Sequence, residues 1–476
     1  MLDVVIVNGQ VVTPQGAGRW DVGIQGERIA AVAEPGTLAR DAARVIDATG
    51  KIVVPGGIEP HAHLAHPIMT DPENPSVTLG PEDDTRGMAC GGTTSHLDFC
   101  YVRPGNTIEQ VIETRLHRWK GRSHVDYAFH ITLCGAVDFR IFDQVPEAIQ
   151  QGFPSFKVFT TNVLPPHPKR HGNRIDFGRI HFLMEKAAPL GGLVLVHGED
   201  EDVVQFNYER FRHEGRIGGE HMHLVHSKLS ELLAFRRATA LARATGCAVY
   251  FVHTSAREGV DTIREARAAG QPVYGETLHQ YACFNAEHYR QPRGFCAHTY
   301  PSLKFPEDQA ALWEGLVRDG LSTLATDEYP TTLDFKLRGS TIEDVTGGNT
   351  GAEARMGIAW TEGVTKRGMS IERFVEITSS NAARIFGLYP TKGAIAPGSD
   401  ADIVLMDPAV RKTLAREDFH VSDYSPWEGW NVSGWPVLTM LRGSVIAEAG
   451  KVLGSLSDGR LLSRKIDAAV RSRPVC

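Results

Sequence analysis

No Cys-x-x-Cys pair occurs in the 476 residues, and the seven cysteines (Cys90, Cys100, Cys134, Cys247, Cys283, Cys296 and Cys476) are scattered and odd in number. That spacing excludes a disulfide framework and a cysteine-based zinc site, and predicts reduced thiols in a cytoplasmic protein. Long apolar runs are lacking too, which excludes a membrane-spanning helix. Residues 1–12 alternate like a strand, without the basic and apolar parts of a secretion signal. Runs of Lys and Arg are absent and the net charge is -7, so nothing would track a phosphate backbone and nucleic acid is excluded as a partner. There is no short repeat or low-complexity stretch. What is present is an average globular composition, 42% hydrophobic and 22% charged, in a chain long enough for more than one hydrophobic unit.

Three regions differ in rhythm. Residues 2–54 hold short alternating strands such as DVVIVNGQVV and RIAAVA, broken by Gly and Asn, which predicts antiparallel β structure. From residue 52 to about 387, short apolar runs alternate with amphipathic stretches such as residues 229–245, as in repeated βα units. Eight candidate strands are found: KIVVPGGIEPHAH, TTSHLDFCYV, VDYAFHITL, SFKVFTT, LVLVHGED, AVYFVHTS, PVYGET and LSTLATDE. Eight is the number a (β/α)8 barrel needs. Residues 393–454 return to short strands (ADIVLMD, VLTMLRGSVIAEAG) with turn-forming Gly and Pro. The α/β fold expected is therefore a TIM-like barrel over 55–387, a small β-sandwich built from 1–54 and 388–454, and a polar tail over 455–476. Residues 101–106 and 161–175 lack periodicity and follow predicted strands, where a barrel carries its site loops.

His61 and His63 lie two apart at a strand end, so both side chains face the barrel interior. Converging imidazoles suit a divalent cation, although His-x-His alone is equally a strand-end turn. His197 and His253 each close an apolar strand, where a histidine among the 20 of this chain is equally a hydrogen-bonded core residue. Asp327 ends a third such strand; a carboxylate buried there without a cation costs several kcal/mol, unless it caps a helix. Lys157 stands inside FKVF, either in an ion pair or, with its pKa pulled down by burial, as an amine able to capture carbon dioxide.

The ordered series PGGIEPHAHL, SFKVF, VLVHGED, YFVHTS and LATDE resembles the cyclic amidohydrolases, most closely the dihydropyrimidinase and hydantoinase branch of the amidohydrolase superfamily. TGAEARM, EGVTKRGMS, TSSNAARIFGLYPTKGAIAPGSDADIVLMDP and SDYSPWEGW extend the likeness over nearly the whole chain. The resemblance implies two divalent metal ions, usually zinc, with His61 and His63 on the first and His197 and His253 on the second. It implies a carboxylated Lys157 (N6-carboxylysine) bridging both, and Asp327 both ligating and moving protons. The implied reaction opens a cyclic amide, ureide or imide by attack of a metal-bridging hydroxide. It further implies a homodimer or homotetramer; WEGWNVSGWP, with Trp427, Trp430 and Trp435, is either its interface or packed inside the small domain.

The chain departs from the family beside the substrate. The family tyrosine five residues after the bridging lysine is Asn162 here, and Tyr300 stands where a ring-contacting serine is usual, so either Asn162 or Tyr300 supplies the oxyanion donor or Tyr300 simply packs. Gly347 and Gly348 match a segment whose backbone contacts the ring. Glu59, Gly198, Asp200 and Glu328 also differ from the usual residues and suggest a changed ring preference. His167, Lys169, Arg170, His171 and Arg174 form a positive loop that either receives a substrate carboxylate or is solvated. Three other readings stay in view: an acyclic amidase, a single-metal deaminase, which would lack the lysine, and a non-catalytic assembly protein, which would have lost ligands.

Overall fold

The computed structural model describes residues 1–38, 42–68, 70, 73 and 76–476. Eight strands form one parallel sheet in chain order: β1 (Gly57–Ala62), β2 (Thr93–Val102), β3 (Asp126–Leu133), β4 (Ser155–Phe159), β5 (Leu193–His197), β6 (Ala248–Phe251), β7 (Val273–Leu278) and β8 (Thr323–Ala325). Each coincides with one of the eight runs read from the sequence, β7 running one residue past PVYGET to Leu278. The first run is divided, however: Ile52–Pro55 joins a different sheet, and the chain enters the barrel after Gly56.

Continuous apolar strands form because both faces are covered. Leu193, Leu195 and Tyr250 belong to the cluster inside the barrel, whereas Val194, Val196, Val249 and Phe251 pack outward with helical residues such as Phe235 and Ile263. Register then fixes the direction of Lys157. It stands beside Leu195, which stands beside Tyr250, so all three point inward. Closure between β8 and β1 uses no regular ladder. The Glu328 N–H donates to His61 C=O at 3.0 Å and the His63 N–H to Glu328 C=O at 2.7 Å. The Glu59 carboxylate adds to the seam by accepting from the His61 and Thr326 amides while paired with the buried Arg355 at 3.2 Å.

The floor of the barrel is filled by Ile385, Phe386 and Leu388 together with Ile466 and Val470 from the tail. The buried Arg464 donates to Ser155 Oγ at 2.8 Å and to the Phe129 carbonyl. A polar stretch with no periodic pattern thus packs as a plug, with Ile466 and Val470 turned into the barrel and Leu461 left exposed.

Two further sheets share a second core that includes Val4, Ile24, Val53, Ile403 and Met440. Ile52–Pro55 pairs antiparallel with Ile403–Thr413 and parallel with Gln10–Thr13. Leu2–Val7 pairs antiparallel with Asp21–Gln25 but parallel with Ala42–Asp47, so these sheets are mixed rather than wholly antiparallel as expected. Trp427 and Trp435 are buried, which removes them as an interface and leaves Trp430 partly exposed.

Candidate active site

All six expected metal-site residues, His61, His63, Lys157, His197, His253 and Asp327, line one cavity at the C-terminal end of the barrel. His61 Nε2 and His63 Nε2 each lie 3.0 Å from Asp327 Oδ1 and 3.2 Å from one another. The His197 and His253 rings are 4.5 Å apart, and His253 is 5.5 Å from His61. Lys157 lies between Phe99 and Phe159, 5.5 and 5.0 Å from their rings. Its amine makes no hydrogen bond or ion pair among the described residues, so the ordinary ion pair is not formed.

Two ligand positions need unusual backbone. His253 and Asp327 have φ of 40° and 51°, a left-handed conformation that costs a residue other than glycine on the order of 1 kcal/mol. At His253 a neighbouring carboxylate holds it. Glu276 accepts the His253 N–H at 2.9 Å and the His61 Nδ1 at 2.7 Å, and is itself bound by Tyr250 Oη. Glu199 receives His197 Nε2 at 2.9 Å and is braced by His226. Phe99 stacks on His63 at 4.7 Å. Neither glutamate is evident from sequence, though both stand at the polar ends of apolar strands, the same signal that Asp327 gives.

Electrostatics fit the donor set to cations. Burial lowers His63, His197 and His253, leaving neutral imidazoles able to ligate. Burial also works against ionisation of Asp327, but His61 and His63 outweigh it and hold its carboxyl well below the usual range. Burial opposes the charged form of His61 too; Asp327 and Glu276 overcome this and raise it to about 9, and a cation bound there would compete with that proton. Burial pushes the Lys157 amine down to about 7.

The substrate side differs from expectation. Asn162 does not line the cavity. Its Nδ2 donates to Glu201 at 3.0 Å and its Oδ1 accepts the Asn173 and Arg174 amides, so it braces the loop and its predicted donor role is withdrawn. Tyr300 does line the cavity, but its hydroxyl donates to Val345 C=O at 3.0 Å, which commits the proton a donor would need. The hydroxyl facing the ligands is that of Tyr101, 3.4 Å from His63 Nδ1, a residue the sequence left in an unpatterned segment. Gly347 and Gly348 line the cavity as expected. A Cβ on Gly347 would lie 2.2 Å from the Tyr300 ring, and Gly348 has φ +81°. Lys336 fixes the segment by donating to the Thr346 and Gly348 carbonyls, and neither glycine N–H has a partner among the described residues.

The departures beside the ligands are structural and lie outside the cavity, so they do not carry a changed ring preference. Glu59 closes the barrel, and Asp200 caps the helix Glu201–His213. At Gly198 a Cβ would lie 2.5 Å from Phe235. Glu328 accepts the Gly351 and Ala352 amides. One other trio of donors, Cys90, Glu353 and His420, occurs among the described residues; there both Glu353 oxygens are bound by His420.

Residues 52–446 match the amidohydrolase family, and the chain belongs to it. It is 33% identical to a D-hydantoinase of Geobacillus stearothermophilus, over 97% of this chain and 96% of that one. It is 32% identical to a D-hydantoinase of Rhizobium radiobacter, over 98% and 99%. The solved dihydropyrimidinase of Brevibacillus agri NCHU1002 superposes with a TM-score of 0.91 at 33% identity, covering 98% of this chain and 100% of that one.

Proposed function

We propose that the protein is a binuclear-metal hydrolase that opens the amide bond of a small cyclic amide, ureide or imide, hydantoins and dihydropyrimidines being the nearest rings. The observation that carries this is the convergence of four imidazoles, Lys157 and Asp327 on one cavity. His61, His63 and Asp327 would hold the first cation, their donor atoms lying within 4.8 Å of one another. His197 and His253 offer only two donors for a second. Carboxylation of the unpaired Lys157 would add the missing anionic oxygen and bridge the pair. Nitrogen and carboxylate donors of this kind suit zinc, the metal assigned here, and also manganese or cobalt. Two such cations, when bound, lower the pKa of water and polarise a carbonyl.

The protein's own groups do the rest. Asp327, steadied by Thr299 Oγ1 at 3.2 Å, takes the proton of the attacking water and returns it to the leaving nitrogen. Tyr101 donates to the developing oxyanion. With His63 Nε2 on a cation, Nδ1 carries hydrogen and can donate to the tyrosine oxygen, freeing its proton for substrate. The Gly347 and Gly348 amides meet the ring. A single-metal deaminase accounts less well for Lys157, and an assembly protein for the intact ligand set; an acyclic amidase is separated by the substrate screen below.

The chain would work in the cytoplasm, as its seven free thiols suggest. No helix among the described residues is long and apolar enough to cross a membrane. Assembly into a dimer or tetramer would use exposed Phe206, Leu229 and Leu233 on two adjoining helices, and sizing chromatography tests it. For the reaction, zinc-loaded protein is screened against hydantoins, dihydrouracil, cyclic imides and lactams by loss of ultraviolet absorbance. Turnover of open-chain amides alone would overturn the assignment. Isotope-labelled bicarbonate should give a carbamate carbon resonance that disappears in Lys157→Met.

A further inference from the structure

Beyond the ligands, the cavity wall carries a positive charge that the reaction does not need. Arg103 lies just past β2, lines the cavity, and is half-buried. Its Nη2 donates to Asn173 Oδ1 at 3.0 Å and its Nη1 reaches the Gly172 carbonyl at 3.5 Å, while the guanidinium leans over Tyr101 at 5.7 Å. Among the described residues no carboxylate lies within ion-pair distance of it. The same side chain forms part of a second hollow, shared with Asn106, His171 and Arg174. Arg174 is exposed and also lacks a carboxylate partner among the described residues. Neither hollow contains an acidic side chain other than Asp327.

An unneutralised guanidinium beside a site built for two divalent cations is repelled by them, and only an anionic occupant reverses the sign of that interaction. The neutral partners of Arg103 orient it without cancelling its charge, leaving donors for a bidentate contact. We infer that the substrate ring bears an arm ending in a carboxylate, received by Arg103 at the cavity wall with Arg174 behind it. This rests on the cyclic-amide reading and names its substrate class: the ring-closed form of an N-carbamoyl amino acid with an acidic side chain. Of the five basic loop residues noted in the sequence, His171 and Arg174 line the second hollow, and Arg174 is the permanently charged one of the two. Lys169 is paired with Glu73 instead.

The test compares zinc-loaded enzyme on a hydantoin with a carboxyethyl arm and on its neutral isostere with a carbamoylethyl arm. Wild type should favour the acidic ring in kcat/KM by at least about tenfold, the scale of one charge-assisted contact. That ratio should shrink with added salt, collapse in Arg103→Met and be partly kept in Arg103→Lys. Equal preference in wild type, or equal losses on both rings in Arg103→Met, overturns the inference. If neither ring is opened, the hydrolase reading fails separately. Calorimetric binding of the acidic ring, about tenfold weaker in Arg103→Met, then still decides whether the subsite exists.

Discussion

At the scale of single residues, the site depends on carboxylates that touch no substrate. Glu276 holds His61 by its outer nitrogen and His253 by its backbone, so its charge orients both ligands and raises the basicity of His61. Glu276→Gln keeps the shape and loses the charge; metal affinity should fall about 10- to 100-fold, read by chelator competition. Tyr101→Phe removes a hydroxyl without opening the cavity, and kcat should fall about a hundredfold with little change in KM. Asn162→Ala should leave kcat nearly intact and loosen the 172–174 loop. That contrast shows what sequence could and could not tell. His61, His63, Lys157, His197, His253 and Asp327 are legible because a polar group closing or interrupting an apolar strand has few places to point. Asn162 is not, because counting five residues past Lys157 assumes a loop path, and here the amides of Asn173 and Arg174 turn its side chain away.

At the scale of elements, the strands were legible because apolar runs buried on both faces differ sharply from amphipathic helices such as Lys228–Thr245. The plug was not. Its contribution comes from Ile466 and Val470 meeting Phe386 beneath the barrel, and so short a contact leaves no periodicity. Ile466→Ala should lower stability by about 2–4 kcal/mol through the lost burial and the cavity left behind. Urea unfolding measures it, and the plug is peripheral if the cost stays within a few tenths. The mixed sheets escaped the sequence for another reason, since alternation reports which face is buried and not whether the neighbour runs parallel.

At the scale of the whole molecule, buried histidines make the fold sensitive to acid. Burial lowers His96 to about 4 and His279 to about 3. The Trp119 indole donates to His96 Nε2, a bond that exists only while that nitrogen is unprotonated. In the unfolded chain both titrate near 6.5, so below that pH the unfolded state binds more protons. Their contribution is complete above pH 6.5 and is lost as pH falls, each group adding a slope of about 1.4 kcal/mol per pH unit. The decline runs to about pH 4 for His96 and about pH 3 for His279. Urea midpoints across this range should follow it, and His96→Gln should flatten the slope.

The pairing of Ile52–Pro55 with Gln10–Thr13 on one side and Ile403–Thr413 on the other has a mechanical consequence. Stretches some 350 residues apart in sequence, Ile52 and Met406 among them, are laced into one sheet, so a single protease nick in a barrel loop leaves two fragments that still hold together. Such nicked protein should run as one species on a native gel and as two only in detergent, and separately expressed halves should find each other and restore the catalytic mouth.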